Sequence, residues 1–257
     1  YQLTLFGEND RLLLVRDCSK IKRLERMRQD FIANVSHELR TPLTVLSGYL
    51  ETLSDYAHDL PAQWQRALVL MTQQSARMEH LVADLLTLSR LETSDFKAEV
   101  EPIHVAAVLE AIRVDAIALS EHQHDIILDV DAHLYLRGAA QELRSAFSNL
   151  VFNAVKYTPQ GSCIRVQWYH DQDGAYLAVS DNGPGIDNQH LGALTQRFYR
   201  VDSSRSSQTG GTGLGLAIVK HVLLRHQGHL HISSVVGQGS CFTCHFPLSQ
   251  TLLGHRA

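Results

Sequence analysis

Apolar residues recur at helical spacing from about residue 20 to 54: Leu24, Met27, Phe31, Val35, Leu39, Leu46, Leu50 and Leu53. A polar break, "SDYAHDLPAQ", follows, and a second run carries Trp64, Leu68, Met71, Met78, Val82, Leu85 and Leu88. Spacing of three and four is that of a helix laying one stripe on a partner. The short break predicts an antiparallel helical hairpin. Two helices cannot bury a continuous apolar stripe by themselves. The pattern therefore predicts a homodimer that closes a four-helix bundle. The alternative is that the chain's last domain covers the stripe.

The flanks follow other periods. "YQLTLF" and "RLLLV" read as strands joined by a "GEND" turn. A lone hairpin is marginal in water, so residues 1–17 are expected to end a truncated upstream domain. "RDCSK" leads into the first helix, with Asp17 or Ser19 available as cap. After "RLETSDFKAE" strands and helices mix. Helices are predicted near 105–120, 139–157 and 213–227, and strands near 125–130, 133–137, 163–169, 175–180, 229–235 and 240–246. Residues 186–212 are polar and rich in Ser, Thr, Gln and Gly; a long loop of this kind in a compact domain is functional or disordered. The expected organisation is a helical domain over 18–93, a linker over 94–100, an α/β domain over 101–249 and a tail over 250–257.

Composition narrows the classes. Apolar residues make up 44% of the 257, enough for a core. A net charge of −4 argues against a dedicated nucleic-acid binder. No run reaches the roughly 18 uncharged apolar residues of a membrane span. The chain starts at Tyr1 without Met, so any membrane attachment is expected through a segment absent from it. Of the four cysteines, Cys241 and Cys244 form a C-x-x-C in the strand-like "GSCFTCHF". Residues three apart on a strand point to opposite faces and do not chelate together. The thiols read as reduced and cytosolic.

The stretch "NVSHELRTPL", Asn34 to Leu43, sets a histidine and a proline inside the first helix. With Phe31 at zero and about 100° per residue, Val35, Leu39, Pro42 and Leu46 fall within about 80° of one another. His37 falls at about 240°, Thr41 at about 280° and Glu38 at about 340°. His37 is thus expected on the face away from the stripe, with a carboxylate beside it. An exposed imidazole of ordinary basicity can act as a nucleophile; a solvated surface histidine is the plainer alternative. Pro42 lacks an N–H, which deprives the Glu38 carbonyl of its helical partner and predicts loosening one turn after His37.

Four pieces in the last domain suggest a phosphate-bearing ligand. "NLVFNAVKYT" puts Asn149, Asn153 and Lys156 on one helix face. "DNGPGI" puts Asp181 at a strand end, able to accept from an amine such as adenine N6, with Gly183 and Gly185 allowing close backbone approach. "RFYRVDSSRS" supplies Arg197, Arg200 and Arg205 beside aromatics. "TGGTGLGLAIVK" is a glycine-rich turn entering a helix, whose N–H groups and dipole favour phosphate. It is not a dinucleotide fingerprint, because Leu216 stands where the third glycine would. Each piece alone could be an ordinary turn or a solvated face.

Taken in order, these pieces resemble the sensor histidine kinases of two-component systems. "SHELRTPL" is similar to that family's H box, "NLVFNAVKYT" to its N box, "DNGPGI" to G1, "RFYRVD" to the F box and "TGGTGLGLAIVK" to G2. Within the family, "IKRLERMRQDFIANVSHELRTPLTVLSGYLE" is most like the branch serving the phosphate regulon. The start of the chain looks like the end of a PAS domain.

The resemblance implies an α+β protein: a dimeric helical-hairpin domain for dimerisation and phosphotransfer, then an α/β sandwich of the histidine kinase and Hsp90 type that binds Mg-ATP. Carried onto this chain, His37 takes the γ-phosphoryl group, and Glu38 orients the imidazole and acts as base. Thr41 places a water for dephosphorylation of a partner aspartate. Asn153 holds Mg²⁺ with Asn149 nearby, and Lys156 and Arg200 contact phosphates. Tyr157 lines the nucleotide pocket, Asp181 selects adenine with Gly183 and Gly185 beside it, and Gly211, Gly213 and Gly215 shape the closing loop. The implied partner is the receiver domain of a response regulator, and the implied location is the cytoplasmic portion of an inner-membrane-anchored protein. A chaperone- or topoisomerase-type ATPase would share the last three boxes without the histidine on its hairpin. A helical signalling scaffold would need none of them.

Overall fold

The computed structural model of the chain describes residues 2–6, 10–14, 19–57, 60–92, 99–201 and 211–254, and before Glu38 it describes the side chains of Met27 and Val35 alone. Residues 7–9 of the "GEND" turn, Asp17, the side chain of Ser19, most of the linker, and Arg205 with its loop lie outside what is described. Strands β1 (Gln2–Phe6) and β2 (Asp10–Leu14) pair antiparallel, Gln2 opposite Leu14.

Helix α1 (Ser19–Asp55) runs 37 residues and passes through Pro42 unbroken; α2 (Ala62–Glu92) packs back along it. The hairpin's own contact is built on Leu43, buried against Val82 and Leu86. A polar layer lies beside it: Ser47 Oγ donates to Glu79 Oε1 at 2.5 Å and stands 2.8 Å from the buried Ser75 Oγ. The apolar stripe anticipated from spacing is divided. Leu68, Val82 and Leu88 are buried, whereas Val35, Leu39, Leu46, Leu53, Trp64, Met71 and Met78 are exposed in the single chain. One face thus closes the hairpin and another is left for a separate surface.

The α/β domain follows: β3 (Glu101–His104), α3 (Val105–Leu119), β4 (Asp125–Val130), β5 (Leu134–Gly138), α4 (Ala140–Tyr157), β6 (Cys163–His170), β7 (Gly174–Asp181), the short α5 (Asn188–Leu191), α6 (Gly215–Arg225), β8 (His229–Val235), β9 (Gly239–Pro247) and β10 (Thr251–Leu253). A five-stranded sheet runs β4-β6-β7-β9-β8, with β4 parallel to β6 and the remaining pairs antiparallel. A three-stranded antiparallel sheet, β10-β5-β3, flanks it. Alternation along the strands sends Ile164, Val166, Trp168, Ala175, Leu177, Val179, Cys244 and Phe246 into one buried face. Helices α3, α4 and α6 share that core, and Phe147 of α4 meets Phe246 edge-on at 6.2 Å. Trp168 Nε1 donates to the Leu134 carbonyl at 3.1 Å and ties the two sheets together.

Three elements were not legible: β3, α5 and β10, the last formed by residues placed in the tail. The predicted helix over 213–227 starts at Gly215. Cys244 is fully buried, which pushes its thiol pKa up, whereas Cys241 is half-buried on the other face of β9. Leu88 and Leu91 of α2 join the α/β core, so the hairpin's last turns pack on the second domain near α6.

Candidate nucleotide and phosphoacceptor site

The C-terminal half of α4 is one wall of the site. Asn149, Asn153 and Lys156 follow one another along it; the two amides are half-buried and Lys156 is exposed. The Asn149 amide nitrogen donates to the Ser145 carbonyl at 2.8 Å. With that assignment its oxygen faces the start of α6, where a Cβ on Gly215 would come within 2.4 Å of it. Only glycine leaves that approach open.

A second wall is the end of β7. Asp181 has the strand parity of Leu177 and Val179, so it faces the helix layer. Its Oδ1 accepts from the Gly183 N–H at 2.9 Å. Burial pushes its carboxyl pKa up, while N–H groups of Gly183 and Ser240 hold it down. A side chain on Gly183 would strike Thr158, which follows α4, at 2.7 Å and Asp181 itself at 2.8 Å. Gly185 has φ +69°, and a Cβ there would come within 2.1 Å of the Val235 carbonyl oxygen. The Ile186 N–H donates to Ser234 Oγ at 2.8 Å, so the turn is pinned to β8.

The glycine-rich segment closes the third side. Gly211 lies against Tyr157: an added Cβ would sit 2.6 Å from the Tyr157 hydroxyl and 3.8 Å from Arg200 Nη2. Gly213 takes φ +73°, and its carbonyl accepts from the Phe198 N–H at 2.9 Å. The structure thus gathers Asn149 with Gly215, Asp181 with Gly183, and Tyr157 with Arg200 and Gly211. Residues as far apart in sequence as Asn149 and Gly215 meet along the C-terminal half of α4.

The hairpin reaches this place through α2. Asp84 Oδ2 accepts from Thr212 Oγ1 at 2.7 Å, and Arg197 pairs with Glu92. Burial raises the Asp84 pKa; Thr212, His80 and Lys156 oppose that rise. His221 Nε2 stands 3.5 Å from Glu92. Spacing and motif gave no hint of Asp84 or Glu92, and Thr212 stands inside the glycine-rich motif with no role assigned to it, because their partners lie in the other domain. Glu38 and Thr41 are exposed on α1. His37 lies on the same helix, and its side chain is outside the described residues. A groove of about 540 Å³ between the two helices is lined by Arg40, Leu43, Thr44, Ser47, Glu79 and Val82, among others.

Among the described residues no three His, Cys, Asp or Glu side chains are grouped to hold a metal. The donor set fits Mg²⁺ of a different kind, in which one or two protein oxygens join substrate phosphates and water. The orientation of the Asn149 oxygen, away from its own helix backbone, is consistent with that set.

Residues 27–94 match the family described as His Kinase A (phospho-acceptor) domain, and residues 138–250 the family described as Histidine kinase-, DNA gyrase B-, and HSP90-like ATPase. The chain is 56% identical over all its 257 residues to the phosphate regulon sensor protein PhoR of Pseudomonas aeruginosa, of which it spans 58%. It is 43% identical to the PhoR of Haemophilus influenzae over 92% of the chain and 55% of that protein. The chain thus spans little more than half the length of these relatives. Among solved structures, full-length ShkA in complex with AMPPNP superposes with a TM-score of 0.70 at 24% identity, over 88% of this chain and 47% of that one. That likeness concerns the fold.

Proposed function

The chain belongs to the sensor histidine kinases of two-component systems and resembles the phosphate-regulon sensors among them, and we propose from that premise that it uses Mg-ATP to phosphorylate His37 and passes the phosphoryl group to an aspartate of a response regulator. The observation that carries this reading is the convergence of Asn149, Asp181, Tyr157, Arg200 and the glycine segment at one end of α4, in a chain whose phospho-acceptor domain holds His37.

Bound ATP supplies a phosphoryl group that transfers with little covalent help, so positioning and charge are what the protein contributes. Asp181 accepts from the adenine amine. Asn153, with Asn149 beside it, offers amide oxygen to Mg²⁺. Lys156 and Arg200 offset phosphate charge, and Tyr157 closes over the sugar side of the pocket. Glu38 holds the His37 ring so that one nitrogen presents its lone pair, and takes the proton from the ring's N–H as the other nitrogen bonds to phosphorus. That nitrogen attacks the γ-phosphorus, an N–P bond forms, the bond to the bridging oxygen breaks and ADP leaves with the electron pair. An acceptor aspartate on the receiver domain then takes the group and His37 is restored. The groove beside Leu43 and Ser47 is where a receiver domain would rest against the hairpin. The same helix supports a second reaction, in which Thr41 places water against the phosphorylated regulator. Both substrates, ATP and a receiver domain, place these domains in the cytoplasm. The exposed Val35, Leu39 and Leu46 support a homodimer as the working unit.

The test pairs two variants. His37→Ala is expected to abolish acid-labile, base-stable labelling by radioactive ATP while nucleotide binding persists. Asn153→Ala is expected to lose nucleotide binding itself. Free phosphate with no label on the protein would favour a chaperone- or topoisomerase-type ATPase instead.

A further inference from the structure

The outer face of the five-stranded sheet carries a row of rings that the nucleotide site does not use. The register sets Tyr169 opposite Tyr176, Tyr176 opposite His245, and His245 opposite His229. Ring centroids along the row are 5.2, 4.9 and 4.6 Å apart. These residues have the opposite parity to Leu177, Cys244 and Phe246, so they lie on the side of the sheet away from α4.

At the end of the row two imidazole nitrogens converge. The Nδ1 atoms of His245 and His229 are 3.3 Å apart. His245 Nε2 is 3.2 Å from the Asp173 carbonyl oxygen. A carbonyl only accepts, so Nε2 carries the proton and the Nδ1 of neutral His245 presents a lone pair. That lone pair faces the His229 ring. Two imidazole nitrogens bound at about 2.0–2.1 Å to one tetrahedral ion stand roughly 3.3–3.4 Å from each other. A ring nitrogen anchored to a backbone carbonyl, with its other nitrogen aimed outward, is also the arrangement that orients metal-binding histidines.

His231 follows His229 by two residues on β8, and both are exposed on this face. The side chains as they stand group only two of these imidazoles, since no three ligands are gathered among the described residues. His231 is exposed and shares the face of β8 with His229, which leaves its ring free to turn toward the pair.

We propose that His229 and His245, joined by His231, form a binding site for a divalent transition-metal ion of the Zn²⁺ class. Imidazole donors suit Zn²⁺, Cu²⁺ and Ni²⁺. Mg²⁺ prefers oxygen, so this site is chemically separate from the metal that accompanies ATP. The remaining positions on the ion are open to water, on a face that α3, α4 and α6 do not cover.

The experiment uses the whole 257-residue chain, freed of metal with a chelator and titrated with CoCl₂ without nucleotide. A single saturable site with visible d–d absorption is expected, with Zn²⁺ displacing Co²⁺ and millimolar Mg²⁺ leaving it in place. His229→Ala and His245→Ala should each weaken Co²⁺ binding by at least roughly tenfold, and His231→Ala should reduce it and change the spectrum. His122→Ala, far from the row in sequence and off the sheet, is the control and should bind as the parent does. His229→Gln and His245→Asn repeat the test with polar replacements should an alanine variant fold poorly. Equal affinity in parent and variants would place the ion elsewhere and overturn the proposal. Absence of any saturable binding to the parent would do the same, leaving the Nδ1 contact as a hydrogen bond between two neutral rings.

Discussion

Asp84 on α2 accepts a hydrogen bond from Thr212 Oγ1 at 2.7 Å, although 128 residues separate them in sequence. The bond joins the hairpin to the glycine segment at the point where Lys156 also acts on the Asp84 carboxylate. A phosphate chain drawn to Lys156 and to the N–H groups of that segment would meet the Asp84 charge. Like charges in a partly buried site repel, and salt screens the repulsion. Asp84→Asn keeps the side chain's size and removes the charge. It is expected to tighten nucleotide binding by roughly 3–10-fold at low salt, with a smaller gain at high salt. Titration with a fluorescent ATP analogue at two ionic strengths reads this directly. Unchanged affinity at low salt would mean that the phosphates do not feel this carboxylate.

The glycines separate into positions that need no side chain and positions that merely have none. Gly185 combines φ +69° with a Cβ site 2.1 Å from the Val235 carbonyl, whereas Gly192 has φ −67° and open space around it. Gly185→Ala should lower stability by about 1–3 kcal/mol or more, and Gly192→Ala should leave it within about 0.5 kcal/mol. Gly215→Ala is expected to displace Asn149 and to lose nucleotide binding at near-parental stability, since a side-chain amide can move where backbone cannot. Thermal melts with and without nucleotide distinguish the three.

His221 stands between Glu92 and Arg197 at the contact of α2 with α6. Burial lowers its pKa first; Glu92 raises it, and Arg197 and Lys220 lower it. A histidine whose folded pKa is depressed binds its proton more readily in the unfolded chain. Its contribution to stability is therefore full above about pH 6.5 and declines as pH falls toward the folded pKa. In an NMR titration the His221 ring should turn over below the ordinary histidine midpoint. Glu92→Gln should move it lower still, and Arg197→Gln higher. A midpoint that rises in Glu92→Gln would remove the ion pair from the account.

The sequence exposed whatever repeats locally. The periods of α1 and α2 follow from Leu39, Leu46, Val82, Leu88 and their neighbours, and the motif residues Asn149, Asp181 and Gly215 announce themselves by type and order. β3 and β10 were missed because each is only a few residues long and is held by pairing with β5, far away in the chain. Asp84 and Thr212 were missed for a related reason. An acid on a helix and a threonine in a loop mean nothing until the two domains touch. The apolar spacing of α1 picked out Val35, Leu39 and Leu46, which the hairpin leaves outside, and passed over Leu43, which closes it.

That outer face carries its own expectation. Leu46→Asp puts a charge in the middle of the exposed stripe and touches none of the nucleotide residues. The parent chain should sediment as a dimer and the variant as a folded monomer, with dissociation strengthened by at least roughly tenfold for one buried charge left unpaired. A variant that stays dimeric would place the contact on some other surface.

Thr41 is the residue expected to separate the two proposed reactions of α1. It is exposed on the helix that carries His37 four residues earlier, so the two fall about 40° apart around the axis, one turn along it. A hydroxyl donates and accepts, and so can hold a water in one orientation. Without a base beside it, it is a weak nucleophile and does not replace an imidazole. Thr41→Ala should therefore leave labelling of His37 near the parental rate. Loss of the attacking water's orientation should slow dephosphorylation of the regulator by roughly 10–100-fold. Pro42 is the next residue, and it leaves the Glu38 carbonyl without its helical partner, so this turn can change shape more readily than its neighbours. Pro42→Ala should stiffen it and shift the ratio of the two activities, whichever one the parent favours. Label on His37 over time and decay of phosphorylated regulator with added kinase give both rates from one preparation. If Thr41→Ala abolishes the label and spares regulator decay, the hydroxyl serves phosphorylation of His37 and the division of labour along this helix is reversed.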